Sequence, residues 1–212
     1  AHGKSRRAGQ QNYTWQVHPK EGPPVSHPEQ YAGKKKHDSL FLNYVLCEQI
    51  WSNPSIPCWM ALLDVEGAFP RTWAKALRYL LWLMGTQLDL LKLLKDIQGN
   101  RKSAIKVGGV LTEFFRVQGG IAEGSPNSVD FFIVYISTLI EALAKVDLPD
   151  DHICNYLRVL LFMDDASLKA FSRANLNKLL DAIWRWSLKW AVTFGLPKCK
   201  VLLINKPKCL CS

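Results

Sequence analysis

The stretch Leu160-Leu161-Phe162-Met163-Asp164-Asp165-Ala166-Ser167-Leu168 sets two adjacent acids between two short apolar runs. Runs of this length read as strands, here 157–162 and 167–171, with Asp164-Asp165 as the turn between them. Most Asp-Asp turns are merely solvated. A second stretch gives this one another meaning. Leu62-Leu63-Asp64-Val65-Glu66-Gly67-Ala68-Phe69 closes an earlier apolar run, 58–63, on a third acid. Two such strands laid side by side would bring Asp64, Asp164 and Asp165 to one point. Three carboxylates that close repel one another unless a hard cation lies among them, and oxygen ligands suit magnesium. A pair of ions held there could activate a hydroxyl and neutralise a leaving pyrophosphate.

Outward from these acids the chain mixes helices and short strands. Asp38 stands where it could cap a helix carrying Phe41, Leu42, Val45 and Trp51. Residues 73–84 have a helical pattern stopped by Gly85, and Leu88, Leu91, Leu94 and Ile97 repeat at helical spacing up to Gly99. The period then shortens. Residues 104–110 and 114–118 read as paired strands, with Gly108-Gly109 near their turn. A glycine-rich loop, 119–124, leads to Ser125-Pro126, which reads as cap and first turn of a helix reaching about residue 146. A long helix over 174–192, closed by Gly195 and Pro197, and a last strand over 201–204 complete the pattern. Helices alternating with antiparallel hairpins imply an α+β fold, one antiparallel sheet backed by helices.

Composition narrows the partners. With 48% hydrophobic residues the chain can bury a sizeable core. The formal charge of +9 favours a polyanion, because Lys and Arg release counterions from phosphates. Residues 1–37 hold seven Lys or Arg against two acids, so this opening reads as a basic tail or linker. The six cysteines are scattered, apart from a terminal Cys209-Leu210-Cys211, and show no zinc spacing; they read as free thiols in a reducing, intracellular compartment, nucleus or cytoplasm. The longest apolar stretch, 131–143, includes Ser137, Thr138 and Glu141, and falls short of the roughly 20 residues that cross a bilayer. No membrane association is expected, and nothing fixes the oligomeric state.

Taken in order, these pieces resemble the palm of reverse transcriptases (RNA-directed DNA polymerases), especially those of non-LTR retrotransposons. Residues 63–69 are similar to the first palm motif, Gln118-Gly119-Gly120-Ile121-Ala122-Glu123-Gly124-Ser125-Pro126 to the second, Phe162-Met163-Asp164-Asp165 to the aromatic-x-Asp-Asp box, and Gly195-Leu196-Pro197-Lys198-Cys199-Lys200-Val201 to the later lysine motif. The resemblance implies a palm with partial fingers over 28–205, a basic tail over 1–27 and a short tail over 206–212, with no thumb. It implies two Mg2+ ions, or Mn2+ in their place, held by Asp64, Asp164 and Asp165. It places Val65, Phe69, Gly124, Ser125 and Lys198 at the nucleotide, with Phe69 under the sugar, excluding a 2′-hydroxyl by bulk. Lys198 would stand near the triphosphate as a proton donor, or else be a solvated surface lysine. Phe162 and Met163 would lie against the template–primer. The implied partners are an RNA template, a DNA primer and deoxynucleoside triphosphates.

Four positions depart from that pattern. Pro70 replaces a usual Asp, Glu123 a usual Gln, and Asn127 and Val129 a usual Leu and Pro. At about 4 Å and an effective dielectric of 20, the negative charge of Glu123 would repel a phosphate charge by roughly 4 kcal/mol before screening. These departures keep a second reading open, a catalytically inactive retrotransposon relic or nucleic-acid-binding module on the palm fold. An RNA-copying RNA polymerase ranks lower, because Phe69 occupies the region where those enzymes accept the 2′-hydroxyl.

Overall fold

A computed structural model of the chain describes residues 36–117, 119–148 and 159–205. The two expected tails, Cys154, Cys209 and Cys211 lie outside the described residues.

The centre is a four-stranded sheet of β1 (Cys58–Asp64), β6 (Val159–Phe162), β7 (Asp165–Ala170) and β8 (Lys200–Ile204), in the order β6-β7-β1-β8. Every pairing is antiparallel. The two-residue period of a strand sorts its side chains onto two faces, and register partners share a face. On one face Ala61 lies opposite Leu168 and Leu63 opposite Ala166, and these residues pack with Val159 and Leu161. On the other face Met60 lies opposite Lys169, Leu62 opposite Ser167, and Asp64 opposite Asp165.

The first face is covered by α3 (Ala74–Leu83), α5 (Ser128–Ala144) and α6 (Arg173–Trp190). Leu77 from α3, Phe132, Tyr135 and Leu139 from α5, and Leu179 and Trp186 from α6 are almost wholly buried there. Each large apolar side chain removed from water contributes about 1.5–3 kcal/mol, so this layer dominates the stability. Polar groups inside it are paired, as where Trp186 Nε1 donates to Thr138 Oγ1 at 2.9 Å. The second face is partly covered by α1 (Lys36–Trp51), whose Asn43 accepts a 2.6 Å hydrogen bond from the buried Lys169 ammonium. Cys58 and Met60 are buried on this second face as Ala61 is on the first, so the run 58–61 is apolar without alternation, while Leu62 stands exposed.

The remaining elements are α2 (Ala68–Arg71), α4 (Leu88–Gly99) and four two-residue strands, β2 (Lys102–Ser103), β3 (Lys106–Val107), β4 (Val110–Leu111) and β5 (Phe115–Arg116). β2 pairs with β5, and β3 with β4.

Several expectations need correction. Asp38 lies within α1, which runs over Lys36–Trp51 among the described residues, and so is not its cap. The hairpin forms around Gly108 and Gly109, but its ladder breaks into two pairs, because the Ile105 amide donates to the Thr112 hydroxyl between them. Ser125-Pro126 does not start α5. The helix begins at Ser128, whose hydroxyl donates back to the Ala122 carbonyl at 2.6 Å, while its amide donates to the Ser125 carbonyl at 3.1 Å. The tip of the β6–β7 hairpin is Met163-Asp164, with Met163 at φ 56°, and Asp165 is already the first residue of β7. Helix α6 is capped by Ser172, which accepts from the Asn175 amide, and ends at Ala191 in the left-handed region, before Gly195 and Pro197. Among the described residues no helix is long and apolar enough to cross a membrane.

Candidate active site

Antiparallel pairing fixes which strand ends meet. β1 ends where β7 begins, so Asp64 and Asp165 are register partners and share a face. Asp164 sits in the turn just before β7, and its carbonyl accepts from the Val65 amide at 3.0 Å. The segment before β8 returns to the same end, where the Gly195 amide donates to the Asp64 carbonyl at 2.9 Å. The sheet therefore brings the backbones of all three acids to one end, with Asp64 and Asp165 on the face turned away from α5 and α6.

The side chains are arranged less simply. The Asp64 carboxylate is 20% exposed and faces the Lys198 ammonium, 3.3 Å from Oδ2 and 3.4 Å from Oδ1. A Cβ on Gly195 would stand 2.9 Å from Asp64 Oδ2, so this glycine leaves room for the carboxylate. Among the described residues no three acids stand close enough together to hold a metal. The convergence is one of backbone and sheet face, with the lysine as the cation nearest Asp64. Its donor chemistry suits a hard divalent ion: carboxylate oxygens on one sheet end, one of them already drawn to a positive charge.

The turn after Asp64 builds the next layer. Gly67 adopts φ 60° and opens the single-turn helix α2, and Glu66 pairs with Arg71 across it at 2.9 Å. Pro70 is the third residue of that helix. Amides there have no intrahelical acceptor, so proline costs little. Phe69 is half-buried, with its ring 5.5 Å from that of Phe132. Its carbonyl accepts from the Ile121 amide at 2.8 Å. Gly120 sits against the same segment with φ +70°, and a Cβ there would be 2.3 Å from the Pro70 carbonyl oxygen. The glycine loop is thus pressed onto the Phe69-Pro70 backbone, a contact only glycine permits.

Other expected site residues are placed as follows. Val65 is buried and its amide is engaged, so its side chain belongs to the core. Gly124 has φ +77° and is exposed, as is Glu123, while Ser125 is half-buried. Phe162 is half-buried and is the register partner of Asp165; Met163 follows it in the turn. Tyr135 reaches from α5 to the end of α6, where its hydroxyl donates to the Trp190 carbonyl. Burial pushes its pKa up to about 12, while a backbone hydrogen bond from Trp73 pulls the other way. This bond anchors the chain that leads into Gly195 and Lys198.

Two site residues were invisible as such in the sequence. Gly195 reads as a helix stop and as the first residue of the lysine motif, and neither reading shows its closeness to Asp64. Arg101 carries no motif, yet its guanidinium donates to the Gly119 and Gly120 carbonyls. Both roles depend on contacts across long sequence separations.

The model of the family described as reverse transcriptase (RNA-dependent DNA polymerase) matches residues 14–209. The RNA-directed DNA polymerase from mobile element jockey of Drosophila funebris is 24% identical over 140 residues, covering 65% of this chain. The chain spans about 15% of that relative's length. Telomerase from Candida tropicalis, in complex with a TWJ fragment of telomeric RNA, superposes with a TM-score of 0.62 at 13% identity, over 84% of this chain and 31% of the telomerase. Apo telomerase from the same organism gives 0.61 at 13% identity, over 84% and 34%. At these identities the structural likeness shows the fold alone.

Proposed function

The chain belongs to the reverse transcriptase (RNA-dependent DNA polymerase) family, and we propose from this that it supplies the palm of a polymerase that copies an RNA template by extending a DNA primer with deoxynucleotides. The observation that carries the reading is the register of β1 and β7, which sets Asp64 opposite Asp165 beside the Asp164 turn. The rest of the catalytic assembly is proposed by analogy with longer relatives.

In this reading Asp64, Asp164 and Asp165 are the residues that would hold divalent magnesium, or manganese in its place. When bound, such ions neutralise phosphate charge and lower the pKa of a primer hydroxyl. The chain's own residues do the rest. The 3′-hydroxyl attacks the α-phosphate and pyrophosphate leaves, so charge builds on the leaving oxygens. Lys198 stands 3.3 Å from Asp64, and in this reading its ammonium is the group that would donate a proton to the leaving oxygens. Phe69, backed by Phe132, presents bulk beneath the sugar and disfavours a 2′-hydroxyl. The backbone at Val65 and the loop at Gly124 and Ser125 frame the nucleotide, and Phe162 and Met163 border the template–primer. Such an enzyme works in the nucleus or cytoplasm, where its template and deoxynucleotides occur.

The alternative is a nucleic-acid-binding module that keeps the fold without the chemistry. Glu123 favours it, because it is exposed in the loop beside the site and would repel the triphosphate. Pro70 no longer does, since α2 accommodates it. Calorimetric titration with magnesium and manganese, paired with primer extension on an RNA template, separates the two. The polymerase reading expects metal binding weakened by Asp64→Asn and by Asp165→Asn. It expects slow extension that Asp164→Asn abolishes and Glu123→Gln improves. Nucleic-acid binding without extension, indifferent to all four substitutions, would establish the binding module.

A further inference from the structure

The β2–β5 hairpin meets the palm through a charged side chain. Arg101, just before β2, donates from Nη2 to the Gly119 carbonyl and, at 2.9 Å, to the Gly120 carbonyl. Its Nε–H is buried and has no acceptor among the described residues. A buried donor left unmatched disfavours a contact held only for stability, so this one calls for another explanation.

The explanation lies one step further along the backbone. Gly120 presses on Phe69 and Pro70 so closely that a Cβ would stand 2.6 Å from the Phe69 carbonyl oxygen. The next amide, that of Ile121, donates to the same oxygen at 2.8 Å. Arg101 therefore fixes the glycine loop, and the glycine loop fixes Phe69. A gate that works by bulk depends on where its ring stands, and a shift of a fraction of an ångström changes what fits beside it. Both bonds come from Nη2, whose two hydrogens are fixed in the guanidinium plane, so the two neighbouring carbonyls are held with more geometric control than a rotating ammonium gives.

We propose that Arg101 is a positioning residue that sets the stance of Phe69 and so tunes discrimination between deoxy- and ribonucleotides. The specificity half rests on the reading of Phe69 as the sugar gate. The coupling half rests only on the contacts above.

The test uses the full chain with Arg101→Lys and Arg101→Gln. Hydrogen–deuterium exchange should speed about tenfold at 119–122 and at 69–72 in Arg101→Gln, with a smaller change in Arg101→Lys. Exchange in β1, β6 and β7 should be unaltered. With the chain bound to an RNA template–DNA primer offering a templating cytidine, the ratio of GTP to dGTP dissociation constants should fall. It should move toward the value for Phe69→Val, while template–primer affinity holds. Faster exchange throughout the sheet would show a purely structural residue and overturn the proposal. So would faster exchange at 119–122 with none at 69–72, or an unchanged nucleotide ratio. A wild-type chain that binds neither nucleotide refutes the gate reading and removes the specificity half. The exchange data then decide the coupling of Arg101 to Phe69 by themselves.

Discussion

The sheet and the hairpin region are built on opposite terms. In the four-stranded sheet, β7 buries five of its six residues, and the core helices lock β1 and β6 beside it. In the region from α4 to β5 no residue of α4 is buried, and Val107, Val110, Leu111 and Phe115 stand open. The sheet is held by many apolar contacts that no single change removes. The second region is tied to the palm by discrete polar links: Arg78 to Gln98 between α3 and α4, and Arg101 to the glycine loop. The three acids sit on the first kind of structure and the loop beside Phe69 on the second. Fixed carboxylates and a gate held by a few polar contacts can therefore be altered separately.

Glycine substitutions should have the largest effect and divide the second region itself, separating its junction with the palm from its open tip. Gly120→Ala places a Cβ 2.3 Å from a backbone oxygen, so a main chain must move. A loss of about 3 kcal/mol or more is expected in urea denaturation. Gly108 also has positive φ, but a Cβ there meets nothing within 4 Å. Gly108→Ala should cost only the left-handed strain, roughly 1–2 kcal/mol. Equal losses would break the distinction.

Leucine truncation draws the same line through the apolar residues. Leu168→Ala, in the middle of β7 and fully buried, should lose about 2–5 kcal/mol. Leu93→Ala on α4, 54% exposed, should change stability by less than about 0.5 kcal/mol. A large effect at Leu93 would mean that this face is covered in solution.

Alkaline pH probes the sheet side through Tyr135. Tyr135 has its folded pKa raised from 10.0 to about 12, so the neutral form is favoured in the folded state. Its contribution is complete below pH 10 and is lost as pH rises toward 12, on the order of 2–3 kcal/mol. In Tyr135→Phe this part of the pH dependence should vanish from denaturation curves recorded across that window. A profile identical to wild type would show that Tyr135 titrates as an exposed phenol.

Only a small stability effect is expected at Lys198. Its pair with Asp64 is mostly exposed on the lysine side, so Lys198→Met should shift stability by less than about 1 kcal/mol. Magnesium binding should strengthen in that variant, because the ammonium no longer competes for the carboxylate. Weaker magnesium binding would mean that Lys198 supports the ion site.

The sequence alone determined the strands expected over 58–63 and 157–162, found as Cys58–Asp64 and, within the described residues, Val159–Phe162, the helices α3, α4, α5 and α6 to within a few residues, and the order of the motifs. Apolar period and the glycines are local signals, and they survive folding where packing agrees with them. Boundaries shifted where a side chain found a partner that the local pattern does not contain. Thr112 divided the hairpin ladder, Ser128 took over from Ser125 at the start of α5, and Asp165 joined β7 because Asp64 lay opposite it. Only the tertiary structure decided that Gly195 makes room for Asp64, that Lys198 is paired with it, and that Arg101 reaches the loop against Phe69. These contacts join residues far apart in the chain. Their energies depend on distances of a few ångströms, which one-dimensional spacing does not encode.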